Sequence, residues 1–256
     1  MVAESGTGRS AQLRRLLESC EEPIPAAGVY DPLSARRAAQ AGFRSVFVTG
    51  RGVARALFDE QLVYVRDSDA EAYTDYVRHL CAATTVPVIA DAEDGFGDPL
   101  RTCQALERAG AAAVTLQDGS EHGGFLPADQ MTEAIRAVRR ETDLVVVGRT
   151  DLLGTARAEA IERLRAYRAA GAELVMAALS DVPEEAVTGS ALLVELAAAA
   201  GSRLVVHSRD GRRLLPTSAL PSGVRIVLVT AAVVDHATAT IDRTLREIID
   251  LATPAK

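Results

Sequence analysis

One unit recurs along this chain: a short apolar run, a loop, a helical stretch that ends in Ala-Gly, and then the next apolar run. The runs are Gly28–Tyr30, Ser45–Thr49, Val86–Ala90, Ala113–Leu116, Leu144–Gly148, Leu174–Ala178, Arg203–His207 and Arg225–Val229. Most are continuously apolar and do not alternate, the pattern of parallel strands buried on both faces. Helical stretches fill the gaps: Ser34–Ala41, Asp98–Ala109, Ala128–Glu141, Ala156–Ala170 and Ser190–Ala200. They place apolar residues at helical spacing, as in Leu100, Cys103 and Leu106, or Ile161, Leu164 and Tyr167. The joints Ala41-Gly42, Ala109-Gly110, Ala170-Gly171 and Ala200-Gly201 read as helix ends, because glycine accepts the left-handed conformation that closes a helix.

Eight such units in 256 residues predict an α/β fold of the (β/α)8 TIM-barrel class, which typically needs about 250 residues. No GxGxxG follows the first run, which weakens a dinucleotide-binding reading. The predicted organisation is one domain over 1–256. Residues 1–25 hold a short N-terminal accessory helix (Ala11–Cys20) and a Pro-containing lead-in, and 26–252 hold the barrel. Val233–Leu251 reads as an amphipathic last helix, with Ile241, Leu245, Ile248 and Ile249 on its apolar side.

Composition narrows the partners. Aromatics are 4% and Trp is absent, so Ala, Val, Leu and Ile must build the core. The net charge is −7, and the Arg pairs Arg14-Arg15, Arg139-Arg140 and Arg212-Arg213 lie among acids. Those are solvated faces, so no nucleic-acid partner is expected. No apolar run approaches the roughly 18 residues of a membrane span, and no signal peptide is read, so a cytoplasmic protein is expected. Cys20, Cys81 and Cys103 form no CxxC and read as buried free thiols.

In a barrel, chemistry sits on the loops that leave the C-terminal strand ends. Thr49, Gly50 and Arg51 follow run two; Asp91, Glu93 and Asp94 follow run three; Gln117 and Asp118 follow run four. Arg149, Thr150 and Asp151 follow run five, and His207 and Ser208 end run seven. Asp91 and Glu93 would crowd one another unless a cation or proton is shared, and Mg²⁺ is the default hard cation. The bland alternative is a helix cap and an ion pair. Arg149 can grip a carboxylate bidentately, or pair with Asp118 or Asp151. Gly119–Phe125, with three glycines, reads as a lid, and its His122 as a candidate general acid or base, or a solvated loop histidine.

Five motifs then resemble one known group: Tyr30-Asp31-Pro32-Leu33-Ser34-Ala35-Arg36, Ala41-Gly42-Phe43, Asp91-Ala92-Glu93-Asp94-Gly95-Phe96-Gly97, Leu116-Gln117-Asp118-Gly119 and Gly148-Arg149-Thr150-Asp151. In this order they resemble the isocitrate lyase/phosphoenolpyruvate mutase superfamily. The resemblance implies a Mg²⁺-dependent barrel acting on small 2-oxo or 2-hydroxy carboxylic acids, commonly through an enolate. By position it places Mg²⁺ on Asp91 and Glu93, with Gln117 where an acidic ligand is usual and Asp67 as a further metal-site carboxylate. It places the anionic substrate against Thr49, Gly50, Arg51 and Arg149; Tyr30 and His207 join them as substrate-binding candidates at strand ends, and Arg149 and His122 are the candidate catalytic groups. It also implies a homo-oligomer, a dimer or tetramer, that exchanges the C-terminal helix.

Three departures stand out. The lid lacks the lyases' Lys-Lys-Cys-Gly-His and the Lys and Asn of mutases and phosphonopyruvate hydrolases; Gln117 removes a charge; and Glu93 stands where Asp is common. The favoured expectation is a carbon–carbon lyase. Set beside it are a phosphonopyruvate-type mutase or hydrolase, and a relative with weak or no metal doing proton transfer, dehydration or hydrolysis. A non-catalytic binding barrel is the fourth reading.

Overall fold

The computed structural model describes residues 6–59, 61–62, 64–120, 122–179, 182, 191–208 and 220–252. Eight parallel strands close on themselves in chain order: β1 (Ile24–Val29), β2 (Ser45–Val48), β3 (Val88–Asp91), β4 (Ala113–Gln117), β5 (Val145–Thr150), β6 (Leu174–Ala177), β7 (Leu204–Ser208) and β8 (Val224–Val229). β8 pairs back onto β1 with Ile24 opposite Ile226. The helices are α1 (Gly6–Ser19), α2 (Pro32–Gln40), α3 (Gly50–Leu57), α4 (Ala70–Ala82), α5 (Pro99–Ala109), α6 (Ala128–Glu141), α7 (Arg157–Ala169), α8 (Ala191–Ala199) and α9 (Ala232–Ala252). The expected TIM barrel is therefore observed. The Arg212-Arg213 pair, Ser190 and Glu121 lie outside the described residues.

Local signals explain most boundaries. Asp31 caps α2 by accepting the Ser34 N–H at 2.6 Å, while Ser34 Oγ accepts the Asp31 N–H at 3.2 Å and Pro32 opens the first turn. At α5, Asp98 Oδ1 accepts the Arg101 N–H at 3.1 Å, Pro99 opens the first turn, and Gly110 closes the helix at φ 98°. Two elements differ from the sequence expectation. β1 starts at Ile24, not Gly28. Pro25 is tolerated there because it lies near the strand's first residue, paired to β8 opposite Val227 but ahead of β2, which joins only at Ala26 opposite Ser45. Gly50–Leu57 is a helix, where the sequence reading placed only Gly50 and Arg51 on a loop and assigned nothing to the rest. Thr49 Oγ1 accepts the Gly52 N–H at 3.3 Å, and that cap outweighs the poor helix propensity of two glycines.

The core has two layers. Inside the barrel stand Ala26, Phe47, Ile89, Ala113, Val145, Val147, Leu174, Met176, Val205, Ile226 and Leu228. The alternate strand residues, such as Val46, Val88, Val114 and Val146, pack outward against the helices. The accessory helix α1 lies across the N-terminal end of the barrel, where Leu13 and Leu17 join the inner layer. Its polar side chains bond strand beginnings: Arg9 to Thr84 O at 3.0 Å, Ser10 to Ala112 O at 3.0 Å, and Arg14 to Asp143 O at 2.9 Å. Arg225 of β8 donates to Cys20 O at 2.8 Å. This end is plugged.

Cys81 and Cys103 are buried free thiols, as expected, and burial pushes both up to about 12. Cys20 is only partly buried. α9 packs its start on the barrel through Val234 and then leaves Ile241, Leu245, Ile248 and Ile249 56–59% exposed. No helix among the described residues is long and apolar enough to cross a membrane.

Candidate active site

Side-chain alternation carries the inner layer up to the C-terminal mouth. Two residues past Ile89 stands Asp91; two and four past Ala113 stand Thr115 and Gln117; two past Val147 stands Arg149; two past Val205 stands His207. All five therefore project into the barrel above its apolar plug. Gln117 and Arg149 are register partners on β4 and β5.

Asp91 and Glu93 are both buried. Thr115 Oγ1 donates to Asp91 Oδ1 at 2.9 Å, and the Glu93 N–H reaches the same oxygen at 3.3 Å. Tyr73 OH holds the Asp91 carbonyl at 2.6 Å. Glu93 adopts φ 48°, a left-handed conformation that costs a side-chain-bearing residue on the order of 1–3 kcal/mol and aims the carboxylate back over the mouth. There its Oε1 accepts the Val65 N–H at 3.4 Å. Burial first, and then the charge of Asp91, push the Glu93 carboxyl well above the usual range, against the pull of Arg149. Two carboxylates so placed want a shared cation.

The start of α3 faces this pair. A Cβ on Gly50 would collide with Glu93 Oε1 and stand 3.4 Å from Asp91 Oδ2. Thr49, Gly50 and Arg51 thus form a helix N-terminus whose dipole favours anions, beside two carboxylates that repel them unless neutralised. Tyr30 leaves β1 against Gly52, and its phenol is raised by burial and then by Asp31.

Arg149 makes a bidentate pair with Asp151, Nε–Oδ1 2.6 Å and Nη2–Oδ2 3.0 Å. Of the two partners anticipated for it, Asp151 is the one used; Asp118 instead binds Arg163. Burial pulls the guanidinium down, but Asp151, Asp91 and Glu93 more than offset this and leave it raised, hence always cationic. Tyr64, absent from the sequence reading, stands over the same charges: burial and then Asp151 raise its phenol, while Arg149 lowers it.

Two expected residues sit at the rim. The His122 side chain is 74% exposed and its Nε2 lies 3.4 Å from Asp67 Oδ2. Asp67 belongs to a one-turn 3-10 helix, and its Oδ2 faces His122 of the hairpin. The lid itself is a tight hairpin. Gly119 bridges Phe125, and Gly123 and Gly124 turn at φ 85° and 82°.

The donor set fits a hard divalent cation. Among the described residues no three His, Cys, Asp or Glu side chains converge as a ready cage. Mg²⁺ asks for less: one or two carboxylates, with waters and substrate oxygens completing the shell. Gln117 adds a buried Oε1 with no hydrogen-bond partner among the described residues, while its Nε2 donates to Gly119 O at 3.1 Å. An orphaned amide oxygen beside two crowded carboxylates is a donor in search of a positive partner.

Comparison with known proteins adds an independent line. A family model for phosphoenolpyruvate phosphomutase matches residues 13–249. A 2-methylisocitrate lyase of Aeropyrum pernix is 35% identical over 64% of this chain and 56% of its own length. An oxaloacetate decarboxylase of Rhodopseudomonas palustris is 35% identical over 64% of this chain and 61% of its own. The chain thus spans less than two thirds of either relative. A solved oxaloacetate acetylhydrolase in complex with the product oxalate superposes with a TM-score of 0.82 at 29% identity, covering 99% of this chain and 90% of that one.

Proposed function

The chain belongs to the phosphoenolpyruvate mutase/isocitrate lyase superfamily, and from that premise we propose that it is a Mg²⁺-dependent carbon–carbon lyase for a small 2-oxo or 2-hydroxy carboxylic acid. One observation carries the reading: a buried carboxylate pair and a carboxylate-held guanidinium share the open mouth of a closed barrel. Asp91, Glu93 and the Gln117 amide oxygen would hold the ion. When bound, Mg²⁺ supplies positive charge for an oxygen that turns anionic as the neighbouring bond breaks.

The chain's own residues do the rest. Arg149 presents the edge left free by Asp151 to a substrate carboxylate or enolate oxygen, and stays charged at any working pH. Removing such a group typically costs about 3–4 kcal/mol of barrier stabilisation. The α3 N-terminus binds a second anionic group through backbone N–H groups. The apolar plug beneath keeps bulk water from entering below. His122 stands at the rim, 3.4 Å from Asp67, and would carry a proton only with the hairpin folded over the mouth.

The relatives support a carboxylate ligand: one is a 2-methylisocitrate lyase, one an oxaloacetate decarboxylase, and one structure holds oxalate. A phosphonopyruvate enzyme is not favoured, because the lid has neither Lys nor Asn between Gly119 and Phe125. We place the protein in the cytoplasm, as a homo-oligomer joined through the exposed apolar side of α9. The test is Mg²⁺ calorimetry together with turnover of oxaloacetate and 2-methylisocitrate. Mg²⁺-dependent cleavage that Asp91→Ala and Arg149→Met abolish is expected. No metal affinity, or turnover untouched by Asp91→Ala, would end the proposal.

A further inference from the structure

The side chain that governs Arg149 is one residue removed from it. Asp151 holds the guanidinium, yet Asp151 is itself held by a fully buried carboxylate, Asp118, whose Oδ1 accepts the Asp151 N–H at 2.9 Å. Asp118 Oδ2 accepts from Arg163 Nη1 at 3.0 Å and from Tyr167 OH at 2.8 Å, both on α7. The backbone joins the same knot. The Asp118 N–H donates to Arg149 O at 3.2 Å, and Asp118 O accepts the Leu126 N–H at 2.7 Å. Arg163 Nη1 also donates to Leu126 O at 2.7 Å. Both main-chain groups of Leu126, where the lid returns, are thus fixed to this knot, the N–H to the Asp118 backbone carbonyl and the C=O to the Arg163 guanidinium.

Packing leaves this knot no slack. A Cβ on Gly119 would lie 2.8 Å from Asp151 Oδ2, so the first lid residue abuts the carboxylate that grips Arg149. Arg163 is anchored from behind by Glu159, at 3.0 Å from Nε and 2.8 Å from Nη2. A buried carboxylate with two side-chain donors, one backbone donor and a full countercharge is set in one geometry. We propose that Asp118, locked by Arg163 and Tyr167, is the positioning residue that aims the Arg149–Asp151 pair and ties it to the root of the lid. The role assigned to Arg149 rests on the function proposed above; the mechanical link rests on these bonds alone.

The experiment uses the full chain with ¹⁵N-labelled arginine. It follows hydrogen exchange at the Arg149 Nε–H, which points at Asp151, with assignment by Arg149→Lys. In Asp118→Asn this exchange accelerates at least tenfold, whereas the Arg14 Nε–H, held by Glu173 at the opposite end of the barrel, stays within twofold. Tyr167→Phe removes one donor and keeps the ring, so it gives a smaller acceleration; it also serves should Asp118→Asn not fold. Arg163→Lys, which keeps the countercharge, restores more of the protection than Arg163→Met. Unchanged Arg149 exchange in a folded variant overturns the proposal, and so does equal acceleration at both arginines, which is general loosening. Calorimetry with oxalate and Mg²⁺ reads the functional consequence: binding at least tenfold weaker in Asp118→Asn. Equal oxalate binding by a variant whose Arg149 exchange has accelerated overturns the link to substrate grip. Failure of the wild type to bind oxalate counts against the proposed function, while the exchange comparison still decides the positioning role.

Discussion

Gly50→Ala places one methyl group where the structure has room for none, and its effects separate cleanly. The added Cβ would collide with Glu93 Oε1 and stand 3.1 Å from its Cδ, but it would touch no backbone within 4 Å among its three nearest atoms. The obstacle is the tip of a side chain, so Glu93 swings aside and the fold stays. Stability then balances three small effects. Alanine in place of a helical glycine gains roughly 0.5–1 kcal/mol. A displaced Glu93 costs about 0.5–1.5 kcal/mol off its rotamer. The long bond from the Val65 N–H, at 3.4 Å, is worth at most about 0.5–1.5 kcal/mol. The net lies within about 2.5 kcal/mol of zero, a melting shift under roughly 10 °C for a chain this size. Metal binding does not balance, because one of two carboxylates has left its place. Disturbing residues that orient a ligand typically costs about 10–100-fold in affinity. Mg²⁺ calorimetry beside a thermal melt reads both. Wild-type Mg²⁺ affinity in a folded Gly50→Ala protein would refute the placement of Glu93 and the cation site built on it.

Three further outcomes follow from the same structure. The raised Glu93 carboxyl keeps its proton in the fold after the unfolded chain has lost its own, so the stability it contributes is complete below about pH 4 and is lost as pH climbs through the folded value. Metal-free Glu93→Gln should therefore match the wild type in urea at low pH and exceed it at pH 8; a difference independent of pH contradicts this. Leu13→Ala, in the fully buried plug of the barrel floor, should cost about 2–5 kcal/mol in urea unfolding with little change in Mg²⁺ affinity. Ile241→Asp with Leu245→Asp should lower the mass seen by light scattering, and an unchanged mass removes α9 from the interface.

The barrel was readable because parallel strands buried on both faces leave uninterrupted apolar runs, and four joints carry a helix-closing Gly: Gly42, Gly110, Gly171 and Gly201. β1 was read short because Pro25 resembles a breaker until one sees that β2 joins a residue later. α3 was missed because two glycines hid a helix that Thr49 caps. At the site, Asp91, Glu93 and Arg149 could be found from their positions after strands, since a closed barrel gathers such residues at one end. The Asp118 knot could not. Tyr167 reads as part of an apolar helix face, and nothing in the sequence singles out Arg163; only the folded distance of α7 from β4 makes them partners of Asp118. Nor does the sequence reveal that Glu93 turns back at positive φ.

Because α1 stoppers the lower end, the barrel is a cul-de-sac. Among the described residues only the upper mouth is left open, so on the cleavage proposed above reactant and both fragments would share it, and the fragment held by the guanidinium would be the later to leave.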